Sequence, residues 1–583
     1  VFLKFTNGAE GMNKGNARVS ACLHSQLSTA ASGRGHMIWA RAIHGLVRTP
    51  LFDPEIDDRA YVAIYVEKEQ TYAVVAFRPS TGEEVWSTTV PNGGYGCMAI
   101  LDDALFVLSA FTNVVGLSRH TGERLWTLET KARIRSSIIC DGSTAVFSSG
   151  DQIIRVDANG KGTTVFSDPG RFFFGAVGID HQSGTIITLA TRYSENGRQS
   201  VVEAVAVRVD GSLAWCFPLG AGDIASSDTS GVVSMGGTAY VTGPLCAVAI
   251  SARSGECMWQ HSLVEGLAHR SMCCVSQQSV FLSTIAGQML CLDRTTGNPV
   301  WRRQLSTEGV WMPPSLCGDR IAIVAEGVLQ ILSASTGERL QEIAVGHTPY
   351  SACSVRGSQL LLGAGDPPYN GMLFGIELSS EPDPVTCTLE RTTFFVDAKA
   401  SFDVALTITS AAHCDRVWLD TSSIGQREDL EPTARDGNTF IFHLVPAKGR
   451  HCGTYALPVR MRIGSKEVVR TVRLKLDDDR GLPRRVFLSD VPRPSQEALN
   501  YSGAACIQAI RARHGTVIQQ SSLRHMSDAV LDRSGYFAFD LWRLVARRVL
   551  LSSAREVDEM PEFAAAARGR RETDQEQTEG AGK

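Results

Sequence analysis

With 583 residues, 43% of them hydrophobic, the chain is several times the usual domain length and holds enough apolar content for more than one core. A formal net charge of −4, with no basic face in any repeat, argues against a nucleic-acid partner, because phosphates demand clustered Lys and Arg. No stretch reaches about 18 uninterrupted apolar residues, which excludes a transmembrane helix.

The chain opens on Val1, and residues 1–34 contain no apolar segment of signal-peptide length. They read as a disordered or extended segment at the start of a fragment.

From residue 35 the chain repeats itself. "TGEEVW" ending at Trp86 returns as "TGERLW" (Trp126), "SGECMW" (Trp259) and "TGNPVW" (Trp301). Aligned on the last residue, the copies fall at Trp39, Trp86, Trp126, Phe166, Trp215, Trp259, Trp301 and Gln341, 40 to 49 residues apart. Such a period signals a propeller, in which each repeat is one four-stranded blade that cannot bury its faces alone. Each copy shows an apolar run, a turn, a second apolar run, then Thr-Gly and a short strand. Gly82, Gly122, Gly255, Gly297 and Gly337 suit a turn that needs φ > 0, and the Trp that follows is expected to dock between blades. Six of the nine tryptophans hold this one position, so chance is a poor explanation. Phe166 and Gln341 mark degenerate blades. A Trp at 341 is expected to be neutral or stabilising if the last gap keeps its shape.

Trp39 precedes any full blade, while 348–378 supplies inner strands with no Trp strand after them. The two halves complete each other, so an N-terminal strand is expected to close the ring and leave no open edge. The pattern resembles the repeat of quinoprotein dehydrogenases and of related propellers without quinone, among them the propeller lipoprotein of the outer-membrane β-barrel assembly machinery. The resemblance covers about 36–380. It implies the fold and leaves catalysis open, and it favours a periplasmic or extracytoplasmic setting.

A catalytic member of that family would hold pyrroloquinoline quinone and calcium over the channel, with an Asp base and often a vicinal disulfide. Cys273 and Cys274 are adjacent, but they fall in a late blade, whereas the family's disulfide lies early. "SMCCVSQQSVFLST" reads as strand on both sides of the pair, with a strained disulfide as the alternative. No cluster of acids and Asn suggests calcium ligands, so the expectation is no quinone, no calcium and no other cofactor or metal. Cys97, Cys140, Cys246, Cys257, Cys291 and Cys353 sit mostly inside strand-like runs and read as buried free thiols.

After "ELSSEPDP" the pattern changes to strict alternation. "SFDVALTITS" and "NTFIFHL" each place apolar residues on one face, and "VRMRIGSKEVVRTVRLKL" reads as a hairpin around Gly464. Residues 384–477 are expected to form an immunoglobulin-like sandwich, a spacer between modules.

A charged linker over 478–487 leads to "VPRPSQEALNYSGAACIQAIRARHG". This resembles the papain-like cysteine peptidases that process double-glycine leader peptides. The resemblance puts Gln496 at the oxyanion position, Ser502 where the nucleophilic Cys belongs, and Gly503, Ala504 and Gly515 in the family's frame. Ser is a poor substitute for a thiol whose pKa a helix terminus and a His can lower. No His follows His525, and His514 lies about 18 Å along the same predicted helix. Cys506, one turn inside, reads as buried. Residues 488–562 thus suggest a partial papain-like segment, with an amphipathic helix at "FDLWRLVARRVLLSSARE", and 563–583 a disordered tail.

The chain therefore reads as mainly β: an eight-bladed β-propeller closed by an N-terminal strand, a β-sandwich and an incomplete helical papain-like segment. The leading function is a non-catalytic scaffold for a protein or peptide partner. An impaired papain-like peptidase and a quinone-dependent dehydrogenase are the alternatives.

Overall fold

The computed structural model describes residues 35–477, apart from 44, 67–70, 92–96, 110–111, 194–199, 222–230, 244–245, 263–271, 285–286, 307–309, 311, 347–350, 367–369, 379–384, 396–400, 411, 428 and 447–452. The chain divides into two units at Arg480, and every described element belongs to the first.

The described residues are almost entirely β, with one short 3₁₀ turn at Ser422–Ile424. The second repeat shows how the sequence builds a sheet. Met98–Leu101 and Ala104–Ser109 are buried at every position, and Asn113–Ser118 at all but its ends. Strands covered on both faces need no polar alternation, which is why they read as continuous apolar runs. Arg124–Glu129 alternates between exposed and half-buried, as an outermost strand should. Asp102, in the left-handed region at φ 51°, makes the first turn, and Gly122 at φ 77° makes the last.

Among the described residues this antiparallel meander occurs eight times. The sheets are numbered here in chain order from the one containing Ala60–Val66 to the one containing Gln359–Asp366; seven have four strands, and the first has a short extra one at Leu51–Phe52. Apolar cores lie between successive sheets: Tyr61, Val74, Met98 and Leu105 share one between the first and second, Ala99, Phe106, Phe147 and Ile154 one between the second and third. The series returns on itself, since Trp39, Leu361 and Leu373 of the eighth sheet share a core with Val62 and Phe77 of the first. Stacked four-stranded meanders in this succession are a propeller.

The eighth sheet takes its outer strand from the N-terminal side. Gly35–Ile43 pairs antiparallel with Asn370–Leu378, from Gly35 opposite Leu378 to Ile43 opposite Gly371. Hydroxyls tie neighbouring inner segments together: Ser283 Oγ donates to Met312 O at 3.1 Å, Ser315 Oγ to Cys353 O at 2.7 Å, and Ser354 Oγ to Pro50 O across the closure. At the centre the third, fourth and fifth sheets meet backbone to backbone through parallel bridges, Ser136 with Gly175 and Ala176 with Gly231. A Cβ on Gly231 would fall 2.8 Å from Ala176 N, so only glycine allows that approach.

Residues 385–477 form two four-stranded sheets around one core. The strands Val385–Leu389, Phe402–Ser410, Thr439–Leu444 and Ala434–Asp436 make one sheet; Thr393–Phe395, Lys466–Asp477, Gly453–Ile463 and Arg416–Leu419 make the other. Val404, Leu406, Phe442, Leu457, Val459 and Leu474 meet between them. Thr393–Phe395 runs parallel to Lys475–Asp477, while the other pairings are antiparallel.

One expectation about the cysteines fails. Cys257 is exposed, because it opens an outer strand just before a bulge, where an apolar sequence run does not mean burial. Cys97, Cys140, Cys246, Cys291 and Cys353 are buried and not in disulfides.

Candidate functional site

The repeated Trp and Gly meet across sheet boundaries. In all eight sheets the outer strand skips one residue immediately before the marker position, a β-bulge. Each marker Trp then lies against the turn glycine of the next sheet. A Cβ on Gly82 would stand 2.8 Å from the Trp39 ring, and Gly122, Gly255, Gly297 and Gly337 face Trp86, Trp215, Trp259 and Trp301 in the same way. The glycine has two reasons to be there: φ near +70 to +77°, and no room for a side chain.

Every indole N–H is also satisfied by that turn. Nε1 donates to Pro79 O from Trp39 (2.7 Å), to Arg119 O from Trp86 (3.3 Å), to Ala158 O from Trp126 (2.9 Å), to Ala252 O from Trp215 (2.9 Å), to Arg294 O from Trp259 (2.8 Å) and to Ala334 O from Trp301 (3.0 Å). A large ring and a paired N–H are both needed when Trp is buried or half-buried between sheets. At the closure, Arg41 donates to Gly82 O beside the Trp39 ring.

Two features of the seams escape the sequence pattern. Trp126 is received by Gly160, which lies in "DANGKG" rather than in a Thr-Gly pair; the Asn-Gly turn was the available signal. Beneath each docked Trp the neighbouring strand carries a small residue: Gly375, Ala76, Gly116, Ala206, Ala249 and Cys291. At the degenerate positions, Phe166 and Gln341, that partner is Ile153 or Ile331. Phe166 turns its edge to Phe173 instead, with centroids 6.1 Å apart. Gln341 has no Gly turn to face, because the eighth sheet's outer strand does not follow its third through a turn. The last gap thus differs in shape from the others.

Charged groups serve the same seams. Arg119 of the second sheet is buried and reaches Glu55 Oε2 at 2.8 Å and Asp53 Oδ1 at 3.4 Å on the first. The Tyr61 hydroxyl donates to Asp53 Oδ2 at 2.7 Å, and burial followed by that hydrogen bond pushes the phenol far above its ordinary value. Arg356 of the eighth sheet donates to Asp53 O at 3.3 Å, so one loop ties three successive sheets. Within the fourth sheet, buried Glu203 accepts from Arg171 Nε at 2.7 Å, and Asp168 pairs with the same guanidinium.

Cys273 and Cys274 are not in disulfides and lie in different cores, and Cys273 Sγ lies 3.8 Å from Tyr240 O. Burial pushes the Cys273 and Cys353 thiols well up and holds Cys291 at about 11, so these are neutral thiols near pH 7. Among the described residues no three His, Cys, Asp or Glu side chains converge as metal ligands, and the Cys273–Cys274 pair is not bridged. Gln496 and Ser502, with Cys506, His514 and His525, lie outside the described residues. No helix among the described residues is long and apolar enough to cross a membrane.

A family model described as "Outer membrane protein assembly factor BamB" matches residues 31–173 and 245–366. The repeats are those of a PQQ-like propeller, PQQ being pyrroloquinoline quinone. The unmatched interval holds most of the fourth sheet, whose strands run to nine or ten residues against the four to six of the second. No curated protein matches the sequence. Similar solved structures include the quinohemoprotein alcohol dehydrogenase from Comamonas testosteroni, 13% identical over 65% of this chain and 82% of that one, with a TM-score of 0.49. A europium-containing methanol dehydrogenase is 12% identical over 63% and 98%, with a TM-score of 0.48. BamB from Moraxella catarrhalis is 14% identical over 59% and 100%, with a TM-score of 0.42. Dehydrogenases and an assembly factor stand side by side among them, so the likeness does not choose between catalysis and scaffolding.

Proposed function

We propose that residues 35–380 form an eight-bladed ring that serves as a non-catalytic scaffold for a protein or peptide partner, followed by an immunoglobulin-like sandwich over 384–477. The observation that carries this reading is the use made of buried polar groups. Arg119, Asp53, Tyr61, Ser283, Ser315 and Ser354 each bond across a sheet boundary, and the buried thiols are held neutral. Such groups hold a platform rigid, and a rigid platform leaves recognition to the loops that connect one sheet to the next. The family model's description as an assembly factor supports the same use.

The reading is tested by offering the chain pyrroloquinoline quinone and calcium and following dye reduction with alcohols and sugars, beside fluorescence anisotropy with labelled extended peptides. Saturable peptide binding without dye reduction is expected. Turnover above the quinone-free control would overturn it.

The C-terminal segment, on this reading, is not a working peptidase, and Ser502→Cys alone does not make it one. By the resemblance, Gln496 and Ser502 correspond to the oxyanion and nucleophile positions of the papain-like peptidases, but the resemblance assigns no residue to the general base that would activate a thiol and then protonate the leaving amine. Mass spectrometry of double-glycine leader peptides incubated with Ser502→Cys, with Ser502→Ala as blank, decides it: cleavage above the blank refutes the claim.

A further inference from the structure

The sandwich does not hang free of the propeller. Along Lys466–Asp477, Val468 and Val472 pack with the sandwich's own core, while the alternate residue Val469 joins the core shared by the seventh and eighth sheets. There it meets Ala456 from the neighbouring strand, Ile343 of the seventh sheet, and Met37 and Leu378 of the eighth. Thr471, on the same face as Val469, donates its hydroxyl to Ala344 O at 2.6 Å. The backbones come close enough to require glycine: a Cβ on Gly346 would stand 3.1 Å from Ala456 N, and Gly346 already has φ 84°. Arg470 donates to Met37 O in the closing strand at 3.4 Å and to Val385 O at the start of the sandwich at 3.2 Å.

The place of this contact is informative. Six seams carry a Trp against a glycine turn; the seam between the seventh and eighth sheets carries Gln341 and has no turn to receive a ring. It is also the seam beside the closing strand, the one outer strand that no short turn joins to its neighbour. Opening such a strand is a local event opposed only by its own contacts. The sandwich lies across this seam.

We infer that the sandwich is a clasp: it replaces the missing Trp lock between the seventh and eighth sheets and holds Gly35–Ile43 in the ring. The spacer role expected from sequence is then too small, since the module completes the closure of the propeller it follows.

Hydrogen exchange followed by mass spectrometry on the full chain tests this, comparing the parent with Val469→Asp. Burying a carboxylate in the shared core should release the contact. Exchange of Gly35–Ile43 and Asn370–Leu378 is expected to rise at least about tenfold, with Ala104–Ser109 of the second sheet and Phe402–Ser410 of the sandwich unchanged. Parent-like exchange of Gly35–Ile43, or an acceleration spread evenly over the chain, overturns the clasp. Should Val469→Asp fail to fold, Arg470→Met combined with Thr471→Val removes the polar ties and spares the cores. The closing strand should then exchange roughly threefold faster than in the parent, and an unchanged rate overturns the inference equally.

Discussion

The seam after the second sheet and the seam after the seventh begin from nearly the same sequence, "TGERLW" and "TGERLQ", and end in different structures. After the second sheet, Trp126 lies over Gly116, faces Gly160, donates to Ala158 O and packs edge-on to Phe106 at 4.8 Å. After the seventh, Gln341 lies opposite Ile331 and the boundary is covered by Val469 and Ala456 of another module. The difference teaches that the Trp is one part of a three-part device. It needs a small residue beneath it and a glycine turn opposite, and where chain topology removes the turn, the other two parts go with it.

The strongest way to break the comparison is to open the ring at the other side of the same sheet. Deleting residues 1–45 removes Trp39 and the closing strand and bares the edge of Asn370–Leu378. Loss of cooperative unfolding and elution as aggregates are expected, by urea titration and size-exclusion chromatography. Parent-like behaviour would mean that the strand contributes nothing to closure.

Next in size, Trp126→Ala should cost about 3 to 5 kcal/mol in chemical denaturation, as a large-to-small change between sheets. A loss below about 1 kcal/mol would show that the ring is not packed there.

Gly122→Ala probes the receiving side of the seam before it. The turn sits at φ 77° and the new methyl would meet the Trp86 ring at 2.5 Å. A loss of about 1 to 3 kcal/mol follows from backbone strain and overpacking, and a neutral substitution would show that the turn can move away.

The smallest effect is the sharpest test of the three-part device. Gln341→Trp should gain nothing and cost about 1 kcal/mol, because the ring finds Ile331 where the six Trp seams have Gly, Ala or Cys. A stabilised variant would show that Trp alone suffices.

Much of this was legible. The 40-to-49-residue period, the turn glycines and the missing half-sheet at each end of the repeat region could be read because turn chemistry and large aromatic residues are local signals. The innermost strands were not, since Ile139–Cys140 and Cys274–Val275 span two residues each and carry no periodicity. The small residues under each Trp lie nine or ten positions upstream, and in the eighth sheet Gly375 is separated from Trp39 by almost the whole ring. Such a pairing is visible only once the strands are in register. Cys257 was misread for a related reason: in an outer strand, a bulge decides which side chains face solvent.

The pairing of Gly35 with Leu378 also bears on the order in which the molecule can be assembled. The strand that leaves the ribosome before any other in the ring must wait for more than three hundred residues of synthesis before its partner, Asn370–Leu378, exists. The turn at Gly82 that receives Trp39 emerges early; Gly375, the surface beneath the same indole, emerges late. Loop closure over this span is slow to find and only modestly dearer in entropy than a short one. Throughout translation the unpaired strand is an aggregation hazard, and the last step of folding joins the oldest segment of the propeller to its youngest.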